Sequence, residues 1–215
     1  MQPRDAQRHL REDLRILILS ATLDAEALRA TLDDAPVITA SGRQFPITVN
    51  YIASDPEGPL SIAVAGAVAR ALDERTGDVL AFLPGMGDIL RAQILVAERH
   101  PDVAVLPLHG DLSLDAQQAA LDPDPRGRRK VVLATSIAET SLTIEGVRVV
   151  IDSGLARVPR FEPNIGITRL ETVRASIAAV DQRRGRAGRT APGICYRLWE
   201  EAATGALPAF SAPEI

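Results

Sequence analysis

The chain has 215 residues, 46% of them hydrophobic and 24% charged, which is the composition of a folded globular piece with a core of its own and excludes disorder throughout. A net charge of −4 argues against a protein that grips nucleic acid through a broadly basic surface, so any such contact has to be local. Three histidines without metal-ligand spacing and a lone Cys195 leave no metal site and no internal disulfide to expect, and Cys195 beside Ile194 reads as a buried strand residue.

Taken in chain order, short apolar runs alternate with amphipathic stretches. Strands are expected at Arg15 to Leu19, Val37 to Thr39, Ile47 to Ile52, Val79 to Leu83, Val103 to Leu106, Val131 to Ala134, Val147 to Ile151 and Ile194 to Leu198. Helices are expected at Ala25 to Leu32, Leu60 to Arg75, Met86 to Arg99, Ser113 to Leu121 and Ser176 to Arg184, with Asp24 and Ser113 as N-caps and Gly77 closing the second. Leu155 to Arg160 and Ile167 to Val173, on either side of Glu-Pro-Asn-Ile-Gly, read as a β-hairpin. Strand and helix in alternation predict an α/β fold, a parallel sheet with helices on both faces. The polar N-terminus carries no apolar signal core and the apolar runs are short, so no membrane span is expected and the reading is cytoplasmic.

The eight residues Gln182-Arg-Arg-Gly-Arg-Ala-Gly-Arg189 hold four arginines and two glycines at the end of a helical run. If that helix continues, Gln182, Arg186 and Arg189 lie at i, i+4 and i+7 and project from one face, a pattern suited to phosphate. Gly185 and Gly188 are costly in a helix and call for a reason, most simply close approach of the backbone to another surface. A solvated, arginine-rich face is the plainer alternative. The basic run Arg126, Arg128, Arg129, Lys130 is read as a solvated loop ahead of a strand. Arg157 with Arg160, and Arg169 with Arg174, form further basic pairs. Only four Phe, two Tyr and one Trp are present, so contacts to a nucleic-acid backbone fit better than base stacking.

Leu83-Pro84, His109-Gly110 and Thr135 fall at or just past the carboxyl ends of expected strands, as does Ser20, and ligands bind at that edge of open parallel sheets. Hydroxyls and amides there hold phosphate oxygens without reading base sequence.

Several blocks together resemble a known family. Gln182 to Arg189 resembles motif VI of superfamily 2 helicases in its DEAH-box form. Ser20-Ala21-Thr22 resembles motif III, Phe82-Leu83-Pro84-Gly85 motif IV, Leu108-His109-Gly110 the short block after it, and Ala134 to Ile144 motif V, with Ser136 where many relatives carry Asn. Ser41-Gly42-Arg43-Gln44-Phe45-Pro46 and Ala209 to Ile215 point further to the bacterial HrpB-like group. The resemblance covers nearly the whole chain.

It implies an ATP-dependent RNA helicase built from two RecA-like domains, hydrolysing a nucleoside triphosphate between them while moving on single-stranded RNA. Residues 1–42 would be the C-terminal remnant of the first RecA-like domain, 43–200 the second, and 201–215 the lead-in to a further region. Arg186 and Arg189 would be arginine fingers and Gln182 would orient the attacking water. Ser20, Thr22, Glu139, Thr140 and Ser141 would couple the nucleotide state to the RNA site. Thr135, Thr143, Pro84, Gly85, His109 and Gly110 would contact the RNA backbone. Arg183 matches a basic position of the motif, whereas Arg184 replaces a small residue common there and receives no role. ATP and Mg²⁺ are implied for the complete protein, but the chain has no Gly-x-x-x-x-Gly-Lys-[Ser/Thr] loop and no Asp-Glu-Ala-His run, so the Mg²⁺ ligands are absent from it and the chain alone is expected to be inactive. The implied partners are single-stranded RNA or another nucleic acid and an upstream RecA-like domain.

Two other readings stay open. One is a non-catalytic module that binds RNA or a protein partner. The other is a dinucleotide enzyme, hinted at by Gly85-Met-Gly87 after a strand, although Leu90 stands where the third glycine of that fingerprint belongs.

Overall fold

The computed structural model describes residues 36–38, 45–52, 58–139, 142–162 and 166–210. The chain divides into two units, Met1–Ser41 and Gly42–Ile215, and apart from 36–38 the described residues lie in the second. Ser20, Thr22, Thr140 and Ser141 are outside the described residues, as are the strand expected at 15–19 and the helix expected at 25–32. The strand expected at Val37 to Thr39 is corrected in part: Val37 and Ile38 have no regular secondary structure and are exposed, with Pro36 ahead of them supplying no amide for a ladder.

In the second unit the order is β1 (Ile47–Tyr51), α1 (Leu60–Glu74), β2 (Asp78–Phe82), α2 (Met86–Arg99), β3 (Ala104–Leu108), α3 (Leu114–Leu121), β4 (Lys130–Ala134), β5 (Val147–Asp152), β6 (Leu155–Glu162), β7 (Ile167–Arg174), α4 (Ile177–Gly185) and β8 (Gly193–Arg197). Six strands form one sheet in the order β1-β8-β5-β2-β4-β3, and every neighbouring pair is parallel. β6 and β7 form the expected antiparallel hairpin, with Leu155 opposite Arg174 at its base.

Both faces of the sheet are covered, and the strand alternation explains how. Val79, Ala81, Val131, Leu133, Val149 and Ile151 point to one side, where they meet Val64, Val68 and Ala71 of α1 and Ile89, Ala92 and Val96 of α2. Leu80, Phe82, Val132, Ala134 and Val150 point to the other, where they meet Ala120 of α3 and Ala187 beyond α4. Buried positions on α1 recur at Ser61, Val64, Ala65, Val68 and Ala71, the stripe of a helix that lies on a sheet. Pro107 sits in β3, the edge strand, where a missing amide leaves no ladder bond unmade. No helix among the described residues is long and apolar enough to cross a membrane.

The cluster Arg126 to Lys130 corrects the solvated-loop reading. Lys130 is fully buried, and its Nζ donates to the carbonyl oxygens of Ala120, Leu121 and Asp122, where α3 ends. Arg129 donates to Ala71, Leu72 and Gly77, where α1 ends. The Ala120, Leu121 and Leu72 carbonyls belong to the last turns of two helices, where carbonyls lack an intrahelical partner and carry the partial negative charge of the helix, so each cation serves as a cap. Only Arg126 and Arg128 remain at the surface, and Arg128 pairs with Asp124 at 2.9 Å.

Candidate nucleotide and nucleic-acid site

The loops that leave the carboxyl ends of β2, β4 and β3 are neighbours along one edge of the sheet, as expected. The backbone ties them together: Leu83 donates to Ala134 O at 2.8 Å and Thr135 donates to Leu108 O at 3.1 Å. Pro84, Gly85 and His109 are buried, Thr135 is half-buried, and Gly110 is exposed. His109 Nδ1 has no hydrogen-bond partner and lies 3.9 Å from the Asp111 carboxylate. Gly85 caps α2 with extended backbone, φ −164°. Arg157, on the first strand of the hairpin, lies over it: a Cβ at Gly85 would sit 3.1 Å from the Arg157 guanidinium.

The arginine segment does not run on as one helix. The α-helix ends at Gly185 and a 3₁₀ turn, Arg186–Gly188, follows, which rotates the side chains away from the 3.6-residue pattern. Along this segment Gln182 is half-buried, Arg186 is buried and Arg189 is exposed. Gly188 answers the close-approach expectation, since a Cβ there would lie 2.7 Å from Phe45 O and from Ile47, ahead of and within β1. At Gly185 a Cβ would meet nothing within 4 Å, so close packing inside this unit does not explain that glycine. Phe45 donates to Gly188 O at 3.0 Å, which pins the turn to the amino end of β1, away from the loops at the opposite edge.

What does connect the two regions is the segment after β4. Arg186 donates from Nε to Glu139 O at 3.0 Å and from Nη1 to Leu142 O. Arg189 donates from Nη1 to Thr143 Oγ1 at 3.2 Å. Both arginines expected to meet phosphate are thus tied to the Thr135–Thr143 region. Burial, and then the neighbouring Arg189 cation, pushes the Arg186 guanidinium down to about 10, against the pull of Glu139. Its hydrogen-bond acceptors are neutral carbonyls, so its charge is poorly balanced.

The deepest feature is one the sequence left without a role. Arg183 is 1% exposed and pairs with Glu139 at 2.6 Å and with Asp152 at 2.8 Å. Burial pushes the Glu139 carboxyl up, against the pull of Arg183. For Arg183 burial works against the charge, but the Asp152 and Glu139 carboxylates outweigh it and the guanidinium stays charged. Arg184 pairs with Asp181, at 3.6 Å on the half-exposed side of α4. Asp152 was missed because it ends an apolar strand and reads as a loop residue; an acid closing a buried run just before Ser153-Gly154 was the available signal. A shallow cavity of about 270 Å³, lined by Thr48, Arg75, Thr76, Arg148 and Gly193, opens at the amino ends of the strands and involves none of these residues.

Residues 64–191 match the helicase conserved C-terminal domain. The ATP-dependent RNA helicase HrpB of Escherichia coli (strain K12) is 49% identical over 212 residues, which is 98% of this chain. The chain belongs to the DEAH-box helicases. The probable ATP-dependent RNA helicase DHX34 of Homo sapiens is 38% identical over 95% of this helicase chain, and the pre-mRNA-splicing factor prp22 of Schizosaccharomyces pombe (strain 972 / ATCC 24843) is 38% identical over 90% of it. The crystal structure of E. coli DEAH/RHA helicase HrpB superimposes with a TM-score of 0.90 at 48% identity over 99% of the chain, which establishes the RecA-like fold of the helicase C-terminal domain. The helicase chain spans 26%, 19% and 17% of the lengths of these three relatives and 27% of the crystallised one.

Proposed function

We propose that this chain forms the arginine side of a split ATPase site in an RNA helicase and carries part of the track for single-stranded RNA. The observation that carries the reading is the pair Arg186 and Arg189. Two cations stand together, one buried on neutral carbonyls with its charge disfavoured, and an incoming anion would relieve both burial and mutual repulsion. A triphosphate supplies that anion, and its γ-phosphoryl group is what water attacks. Arg186 and Arg189 would stabilise charge building on the equatorial oxygens in the transition state. Gln182, one turn earlier on α4, would orient the water.

Magnesium fits this chain poorly, because no group of His, Cys, Asp and Glu among the described residues is arranged to hold a metal ion. No step by these residues runs through it. An upstream RecA-like domain is the partner that would bring the triphosphate, with the metal, to the arginines.

The RNA side of the proposal rests on the edge formed by Thr135, His109-Gly110 and Pro84-Gly85 and on exposed Thr143. Pro84, Gly85 and His109 are buried, so their part would be to shape the backbone of the edge, while Gly110, Thr135 and Thr143 offer groups that an RNA phosphate can reach. Glu139, with Thr140, Ser141, Ser20 and Thr22, would link the two sites, and the protein would act in the cytoplasm.

The test is ATP turnover with and without single-stranded RNA, on this chain alone and on the same chain extended upstream. The reading expects silence from the chain alone and RNA-stimulated turnover from the extended form, lowered by about 10³ to 10⁵ in Arg186→Ala. Turnover by the chain alone, or RNA binding without turnover in the extended form, would overturn it, the latter in favour of a binding module.

A further inference from the structure

The contacts of Arg183 each belong to a different element. Its Nε donates to Glu139 Oε1 at 2.8 Å, in the segment after β4. Its Nη1 donates to Asp152 Oδ1 at 2.8 Å, the last residue of β5, and to Leu155 O at 3.1 Å, the first residue of the hairpin. Its guanidinium carbon stands 5.1 Å from the centre of the Phe82 ring, at the end of β2 directly before Leu83-Pro84. One planar fork thus joins four elements and is itself carried by α4.

Stability is a weak reason for such a network. A buried charged triad gains little over a packed apolar one, because desolvation of each ion offsets the attraction. Here the network is also imperfect, since Asp152 is fully buried and its Oδ2 has no hydrogen-bond partner. What the fork does provide is a fixed register among groups that would otherwise move separately. Glu139 is the decisive member. Its carboxylate holds Arg183 while its carbonyl oxygen accepts from Arg186, so a displacement of Glu139 moves the acceptor on which Arg186 rests.

We propose that Arg183 is a positioning residue that couples the hairpin base and the carboxyl edge of the sheet to the placement of Arg186, so that nucleic acid held at that edge sets the finger. The proposal rests on the split-site reading given above. Through Leu155 and Asp152, Arg183 registers the hairpin; through Phe82 it registers the β2 loop; through Glu139 it passes both to Arg186. Lysine keeps the charge but not the planar fork and cannot make these bonds together.

The experiment compares the chain extended upstream with its Arg183→Lys and Glu139→Gln variants, measuring kcat and KM for ATP with and without single-stranded RNA, RNA affinity by fluorescence anisotropy, and the thermal transition. The expected result is a fall of about 10² in RNA-stimulated kcat with KM for ATP changed far less, in variants that retain a cooperative transition and bind RNA. Should Arg183→Lys fail to fold, Glu139→Gln, which keeps the shape and one acceptor, decides by the same comparison. A folded variant with the wild-type ratio of stimulated to unstimulated turnover would reduce the triad to a structural role and overturn the proposal while leaving the split site standing. Absence of RNA stimulation in the unmodified protein would bring down both.

Discussion

Arg189 donates from Nη1 to Thr143 Oγ1 at 3.2 Å, so the exposed arginine beyond α4 is tethered to a hydroxyl that lies 46 residues earlier in the chain. An exposed bond of this kind contributes little to folding, since water replaces it on either side. Arg189→Ala is therefore expected to shift the stability of this chain by no more than about 0.5 kcal/mol in urea. In the upstream-extended protein the same change is expected to cut ATP turnover by about 10³ or more. An undiminished rate would remove Arg189 from the site.

Cys195 lies in β8 with no exposure, between two other strands, and burial pushes its thiol up to about 12. The thiolate is the reactive form, so the native protein at pH 8 is expected to resist a thiol reagent over hours and to react in full once unfolded in guanidinium. Prompt modification of the folded chain would contradict the placement of this strand.

Asp124 accepts from the backbone amides of Arg126 and Arg128 and from the Arg128 guanidinium. The Arg128 side-chain bond above all holds its carboxyl down at about 2, below the ordinary 3.8. A depressed acid contributes stability above its unfolded pKa and loses it as pH falls through the folded value. Denaturation followed between pH 4 and pH 2 is expected to show a component that Asp124→Asn lacks. Superimposable curves for the two proteins would mean that the loop does not hold this carboxylate.

Gly193 begins β8, and a Cβ there would stand 2.2 Å from the carbonyl oxygen of Ala187. That neighbour is backbone in the 3₁₀ turn and has no side chain to swing aside, so Gly193→Ala is expected to cost about 1–3 kcal/mol or to displace the turn that carries Arg186 and Arg189. Gly185→Ala, with nothing in reach, is the matched control for stability. Equal urea midpoints for the two variants would refute the packing argument.

The sheet was legible because its strands are buried on both faces and so stand out as apolar runs between turns. Met86–Arg99 matches its expected bounds at both ends, and Ser113 accepts from Ala116 at the start of α3 as a capping serine should. The carboxyl-edge grouping of Pro84, His109 and Thr135 followed from strand ends alone. What the sequence did not disclose is where long basic side chains turn. Lys130 and Arg129 look like a solvated run, yet helix ends packed nearby present bare carbonyls, and that depends on tertiary neighbours. Arg186 and Arg189 differ in burial, and that difference leaves no mark in periodicity. Arg183 went without a role because its partners Glu139 and Asp152 are distant in sequence and only the fold brings them together.

The place of β8 between β1 and β5 bears on how the chain acquires its structure. Among the described residues β1 takes its sheet bonds only from β8, and Tyr51 is matched with Arg197 across most of the length of the unit. During synthesis β1 is made long before β8, and closing so long a loop is entropically slow. A nascent chain halted before Gly193 would lack the strand that joins β1 to β5 in the sheet order. Because β1 pairs with β8 and Phe45 just ahead of it holds Gly188, completing the sheet and setting the arginine turn draw on the same short stretch of chain.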